Sequence, residues 1–285
     1  MQSGEAGLAG NIISAQDLEA ILTEYLKSID LDQSRDVARR MITQLRERNF
    51  ILCYLGADNY AFVHRTFLEF FAAWAFVWEF KETQTLTFEE LRAQTFGAHW
   101  QEESWQEVLR LIAGMLEPIF VGRTIEFLMA QDGKSDKYAN LFLAAECLAE
   151  MRTRNASQAI AKTLLDKVKV LTQFDLEHHS NESSHEEKTK LIQEVRTKAV
   201  STVSTIWADS RETLAWLKLR IQIDKDSVVR KTALKQLTIG FKEDSETLGY
   251  LKGLVADAPH EEVRRSAVYS IGLYFKEDSE NLSSN

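Results

Sequence analysis

The sequence predicts a mainly α protein, in which a small helical unit with one β-hairpin precedes an α-α superhelix of stacked helical pairs. Three observations predict this. Only two prolines and twelve glycines punctuate 285 residues, too few for many hairpins, so long helices joined by polar loops are the default. Apolar residues recur at helical spacing through most of the chain. Near the C-terminus a segment repeats 34 residues later (229 to 263), a period that belongs to stacked helical units.

The first helix is signalled by Ser14 before Asp17-Leu18-Glu19, a capping pattern, with Ile21, Leu22, Tyr25 and Leu26 expected on its buried face. A second helix begins near Ser34, with Val37, Met41, Ile42 and Leu45 inward and Arg35, Arg39 and Arg46 outward. Two strand-like runs follow, Phe50 to Leu55 and Tyr60 to His64, joined by Gly56-Ala57-Asp58-Asn59, which is a hairpin signal. Helices followed by a two-stranded wing make a winged-helix-like unit over residues 1–66. Between residues 11 and 66 eight acidic side chains face seven basic ones, a poor balance for binding DNA phosphates.

Residues 67–135 read as a helical connector. Phe67, Phe70, Phe71, Trp74 and Trp78 recur at helical spacing, which core packing beneath the wing explains better than a ligand box. Gly133-Lys134-Ser135 imitates the end of a phosphate loop. Leu128 holds the position of the first glycine, however, and the preceding run Ile125 to Met129 is helical where a strand is required.

Residues 136–285 form the repeat region. Leu143 to Ala149 presents a small-residue helix face, and Gln158 to Leu171 supplies its partner. A segment near 175–190, rich in Glu, Ser and His and free of aromatics, reads as a surface insertion. Its His178, His179 and His185 lack a fourth ligand at a defined spacing, so no metal site is expected. The registered copies begin at Val195-Arg196, Val229-Arg230 and Val263-Arg264, with Ala199, Ala233 and Ala267 four residues on. Val229, Ala233 and Leu237 share one helix face, and Leu248, Leu251 and Val255 share another on the expected partner helix. Asp257 and Pro259 are expected to start the next helix. No helix of this kind buries its stripe alone, so neighbouring units must stack.

Bulk properties narrow the function. A net charge of −9 disfavours nucleic acid as the main partner. Cys53 and Cys147 sit in apolar surroundings as buried thiols suited to a reducing cytoplasm, the expected location. The first ten residues lack the basic start and apolar core of a signal peptide. The strongest apolar run, Phe70 to Trp78, is far short of the roughly 20 residues that span a bilayer, so no membrane association is expected. Gly-x-Ser-x-Gly, Cys-x-x-Cys and His-Glu-x-x-His are absent. The adjacent acidic pairs Glu102-Glu103 and Glu261-Glu262 diverge around a helix.

The Val-Arg-x-x-Ala start resembles HEAT repeats, including the short type found in phycobiliprotein lyases. That resemblance implies a structural ladder in which Asp224 or Asp226 serves Arg230 and Asp257 serves Arg264. Upstream, Tyr60-Ala61-Phe62-Val63-His64-Arg65-Thr66-Phe67-Leu68-Glu69-Phe70-Phe71-Ala72-Ala73 resembles the end of the winged-helix domain of NACHT-type (STAND) signalling NTPases. Trp100 to Leu116 resembles the helical segment that follows it in bacterial members, so the likeness covers roughly residues 12–120. It implies that His64 senses the β-phosphate of a nucleotide held by another module, a role that an imidazole donor suits. The alternative for His64 is a satisfied interior residue at a strand end. No phosphate loop is present, so the chain itself is expected to bind no cofactor and to catalyse nothing. ATP or ADP with Mg²⁺ would enter only with a nucleotide-binding domain. The expected function is regulatory, with a protein partner on the concave face of the repeats and a possible NACHT nucleotide-binding domain on the N-terminal unit. The rival readings are a HEAT-like phycobiliprotein lyase or chaperone and a stand-alone scaffold.

Overall fold

The computed structural model describes residues 12–48, 51–151, 158–175, 185–208 and 210–275. Among them are thirteen α-helices and one three-stranded antiparallel sheet, the mainly α class that the scarcity of proline and glycine indicates. The chain divides into two compact units between Met115 and Leu116. No helix among the described residues is long and apolar enough to cross a membrane.

In the first unit, β1 (Ile12–Ser14) leads into α1 (Ala15–Ser28), α2 (Ser34–Glu47), β2 (Leu52–Gly56) and β3 (Asn59–Phe62). Ser14 caps α1 as its spacing indicates, its hydroxyl accepting from the Asp17 N–H at 3.0 Å. The hairpin forms about Ala57 and Asp58, both in the left-handed region, with Gly56 at φ 90° absorbing the irregular register beside Tyr54. Phe50, expected at the start of the first strand, lies outside the described residues. β1 is an addition to the expected hairpin and pairs with β3, so the sheet order is β1-β3-β2. Three residues are too few to display alternation, and Ser14 already read as a cap. On α1 only Leu26 is buried. Ile21 and Tyr25, expected inward, are each 56% exposed, because α1 rests on α2 and the sheet along a narrower seam than its apolar stripe.

α3 (Arg65–Lys81) packs on α5 (Gln106–Met115), with α4 (Phe88–Arg92) at its end. Ala73 and Val77 of α3 are buried with Val108, Leu109, Ile112 and Ala113 of α5. Phe76 meets Trp105 and Phe80 meets Phe88, ring centroids 6.2 Å apart in each pair.

The second unit holds α6 (Pro118–Ala130), α7 (Ala139–Glu150), α8 (Gln158–Leu171), α9 (His185–Ile206), α10 (Arg211–Ile223), α11 (Ser227–Gly240), α12 (Thr247–Asp257) and α13 (Glu261–Tyr274). α6 packs on α7, α8 on α9, α10 on α11 and α12 on α13, while α7, α9, α11 and α13 form a layer in which each touches the next. The repeated positions fill this layer: Val195, Val229 and Val263, like Ala199, Ala233 and Ala267, are each at most 1% exposed. The sequence pairs α11 with α12. The structure instead lays α12 chiefly on α13, because only three residues (258–260) join them and a short link makes antiparallel neighbours. His260, not Asp257, is the N-cap of α13, with Pro259 just before it. Residues 176–184 of the expected insertion, including His178 and His179, lie outside the described residues, as does the side chain of His185. Residues 185–190 form the first turns of α9.

Thr213 and Thr247 occupy the same repeat position and are 1% and 0% exposed, each with a hydroxyl that meets no hydrogen-bond partner. A buried, unsatisfied hydroxyl costs about 1–3 kcal/mol, whereas valine has the same outline. Thr213→Val and Thr247→Val are each expected to stabilise by about 1 kcal/mol, read as a raised urea midpoint at unchanged slope.

Candidate functional site

β3 ends at Phe62, and two residues later His64 stands as the N-cap of α3 in extended backbone, so the sheet aims α3 and places the imidazole at its head. His64 is exposed, not interior as the alternative reading has it. Its side chain makes no capping bond, and its ring centroid lies 6.2 Å from that of Phe67. Arg65 donates to Glu69 at 2.7 Å and to the Ser104 carbonyl at 3.3 Å, which ties the head of α3 down.

Along α3 the aromatic stripe is not core beneath the wing. Phe70, Phe71, Trp74 and Trp78 are 42%, 39%, 44% and 41% exposed. The helix has two apolar faces, and α5 covers the one bearing Ala73 and Val77. Helical spacing fixes which residues share a face but not which face is covered. The rings support one another: Trp74 and Trp78 lie 5.0 Å apart, Phe70 and Phe71 5.5 Å, and Phe62 of β3 lies 5.9 Å from Phe71. Between α3 and α5 a cleft of about 440 Å³ is lined by Thr66, Phe67, Glu69, Phe70, Glu107 and Leu111. An imidazole, four half-exposed rings and this cleft therefore share one helix, an arrangement suited to docking.

Sequence reasoning missed His99. Its ring stacks on Trp105 at 3.7 Å with 3° between planes, and its Nδ1 lies 2.8 Å from Glu102. That clamp shapes the turn before α5, and no motif signals it. Gly133-Lys134-Ser135 forms a turn after α6, with Lys134 N–H on the Asp132 carboxylate at 3.2 Å. No group of three or more His, Cys, Asp or Glu among the described residues is arranged to hold a metal ion.

In the second unit the repeat arginines do the same work through different acceptors than expected. Arg230 donates to the carbonyls of Asp224 and Lys225 at 2.6 and 3.1 Å, and Arg264 to the carbonyl of Ala258 at 2.6 Å. Arg196 reaches the Phe174 carbonyl at 2.7 Å. Each guanidinium thus satisfies carbonyls beyond the C-terminus of the preceding helix. Asp224 spends its carboxylate on Arg220 and on the Asp226 N–H, Asp226 caps α11, and Asp257 is exposed at the end of α12.

Arg230 also grips Glu262 of α13, with Nε at 2.8 Å and a second bond from Nη2. These hydrogen bonds hold the Glu262 carboxyl below the ordinary glutamate range. A lowered pKa makes the contribution present above pH 4.5, the ordinary value, and lost as pH falls through the lowered one. Glu262→Gln is expected to cost about 1 kcal/mol at neutral pH, half-exposure screening the pair, and nothing in strong acid. Urea unfolding as a function of pH measures this convergence.

Compared with family models, with curated proteins and with solved structures, the chain matches none.

Proposed function

We propose that this chain is the regulatory portion of a NACHT-type signalling NTPase. The first unit docks a nucleotide-binding module along the aromatic face of α3, with His64 directed at the nucleotide phosphates. The second unit is a HEAT-type stack that binds a protein partner on its concave face, and it relays occupancy without catalysis of its own. The observation that carries this reading is the exposed aromatic stripe headed by an exposed imidazole on one rigid helix. Four half-exposed aromatic rings in sequence cost solubility unless another surface covers them. The sheet order β1-β3-β2 around α1 and α2 supports the winged-helix assignment, and the common arginine-to-carbonyl bond at positions 196, 230 and 264 supports the HEAT-type assignment.

The test begins in the genome, by asking whether the DNA beside the codon for Met1 encodes Gly-x-x-x-x-Gly-Lys-Ser/Thr. The encoded module, purified with ADP and Mg²⁺, is expected to bind this chain in titration calorimetry. Trp74→Asp should abolish the complex, and His64→Ala should weaken it about tenfold with ADP and little without, the worth of one charge-assisted hydrogen bond. Binding indifferent to both substitutions, or unrelated sequence beside Met1, would overturn the proposal.

A further inference from the structure

α3 and α5 bury Ala73, Val77, Ile112 and Ala113 where they pack, and the cleft of about 440 Å³ opens toward the start of both helices. At roughly 30 Å³ for each group the size of water, it has room for about fifteen, more than a single side chain from outside would fill. Phe67, Phe70 and Leu111 give it apolar surface, and Thr66, Glu69 and Glu107 supply the polar atoms. Apolar walls with a few polar groups that orient the occupant are what a small-molecule site requires.

Both carboxylates of the cleft are short of donors. An ionised carboxylate accepts about four hydrogen bonds. Glu69, with its side chain 13% exposed, receives one among the described residues, from Arg65 Nε to Oε1 at 2.7 Å. Glu107 likewise receives one, from Arg110 Nη1 to Oε2 at 3.2 Å. Neither arginine lines the cleft, and with side chains 61% and 38% exposed both guanidiniums are screened by water. The helix starts add about half a positive charge each, against a whole negative charge on either wall. The cleft is therefore negative, and it offers Oε2 of Glu69, Oε1 of Glu107 and the Thr66 hydroxyl as acceptors. Three acceptors suit an ammonium, with three N–H donors on one point charge, better than the planar fork of a guanidinium. The Phe67 and Phe70 rings attract the same cation and, with Leu111, cover a carbon frame attached to it.

We propose that the cleft between α3 and α5 binds a small organic cation, a primary ammonium on an apolar frame larger than an amino-acid side chain. The ammonium takes the open oxygens of Glu69 and Glu107, and the frame lies against Phe67, Phe70 and Leu111. The site is built from α3 and α5 alone, so it stands whether or not a nucleotide-binding module docks on the aromatic face.

The probe is 4-phenylbutylamine, and its control is 4-phenylbutan-1-ol, which has the same shape without the charge. Amide chemical shifts of the full chain are expected to saturate with the amine, changing most at residues 66–70 and 107–111, and the alcohol to bind about tenfold more weakly. Glu107→Gln, at a half-exposed site where folding is undisturbed, should weaken the amine about fivefold. Glu107→Lys, which supplies an ammonium of its own, should abolish its binding. Glu82→Gln, the same loss of charge at the exposed C-cap of α3, should change nothing. Equal binding of amine and alcohol would overturn the proposal. So would indifference to Glu107→Gln, or an equal effect of Glu82→Gln, which would reduce binding to attraction by net charge. Nα-acetyl-lysine N-methylamide binding as tightly as the amine would also overturn it, by making a protein side chain the occupant.

Discussion

Replacing Asp224 by alanine is expected to lower the unfolding free energy by about 3 kcal/mol, and adding Arg220→Leu is expected to restore most of it. Both residues are buried, with side chains 9% and 5% exposed, and they pair at 3.4 Å one helical turn apart. The Nε of Arg220 has no hydrogen-bond partner, so the guanidinium depends heavily on the Asp224 carboxylate. Alanine leaves that charge buried without compensation. It keeps the main-chain carbonyl that accepts from Arg230, so the loss reports the carboxylate alone. The repeat itself supplies the remedy, because one period later the same two positions are Leu254 and Ala258, each buried at 6% exposure. A leucine-alanine pair thus already fits this environment, and the desolvation of two charges disappears with them. Urea unfolding of the two single variants and the double variant measures the coupling directly. A double variant as unstable as Asp224→Ala would show that the surroundings are built for the ion pair and not for its volume.

Much of this architecture was legible because a repeat states its own rules. Three copies at one spacing identify Val195, Val229 and Val263 as equivalent, and all three are buried. The period could not reveal which helix faces which, since that depends on loop length, and α12 lies on α13. The arginines were legible as structural, but their acceptors were not: the nearby carboxylates drew attention, whereas backbone carbonyls are present at every residue and carry no sequence signal. In the first unit the helices, the cap at Ser14 and the hairpin followed from local chemistry. The exposure of Phe70, Phe71, Trp74 and Trp78 did not, because an aromatic stripe looks the same whether its cover belongs to this chain or to another. His64 illustrates both sides. Its place between a strand and a helix was readable, but its exposure depends on how the sheet directs α3.

Gly133→Ala is expected to cost about 3 kcal/mol, although the position is not in a left-handed conformation. A Cβ there would lie 1.8 Å from Oδ1 and 2.7 Å from Cγ of Asn140, and 3.2 Å from Cα of Tyr138. Asn140 cannot simply yield. It is 2% exposed, and its Nδ2 donates to the carbonyls of Leu128 and Gln131 at 2.9 and 3.0 Å, closing the end of α6. Displacing it removes the side-chain donor from the Gln131 carbonyl and leaves the Leu128 carbonyl with the Gln131 N–H, while the turn that bonds the Asp136 and Tyr138 N–H groups to the Gly133 carbonyl has to open. If this account is right, the two positions are coupled. Asn140→Ala by itself should be costly, because it removes two buried hydrogen bonds, those to the Leu128 and Gln131 carbonyls, but Gly133→Ala added to it should cost less than about 1 kcal/mol, since the atoms it struck are gone. Thermal unfolding of both single variants and the double variant decides the matter. Simple additivity would mean that Gly133 is required for the backbone of the turn and not for the room it leaves Asn140.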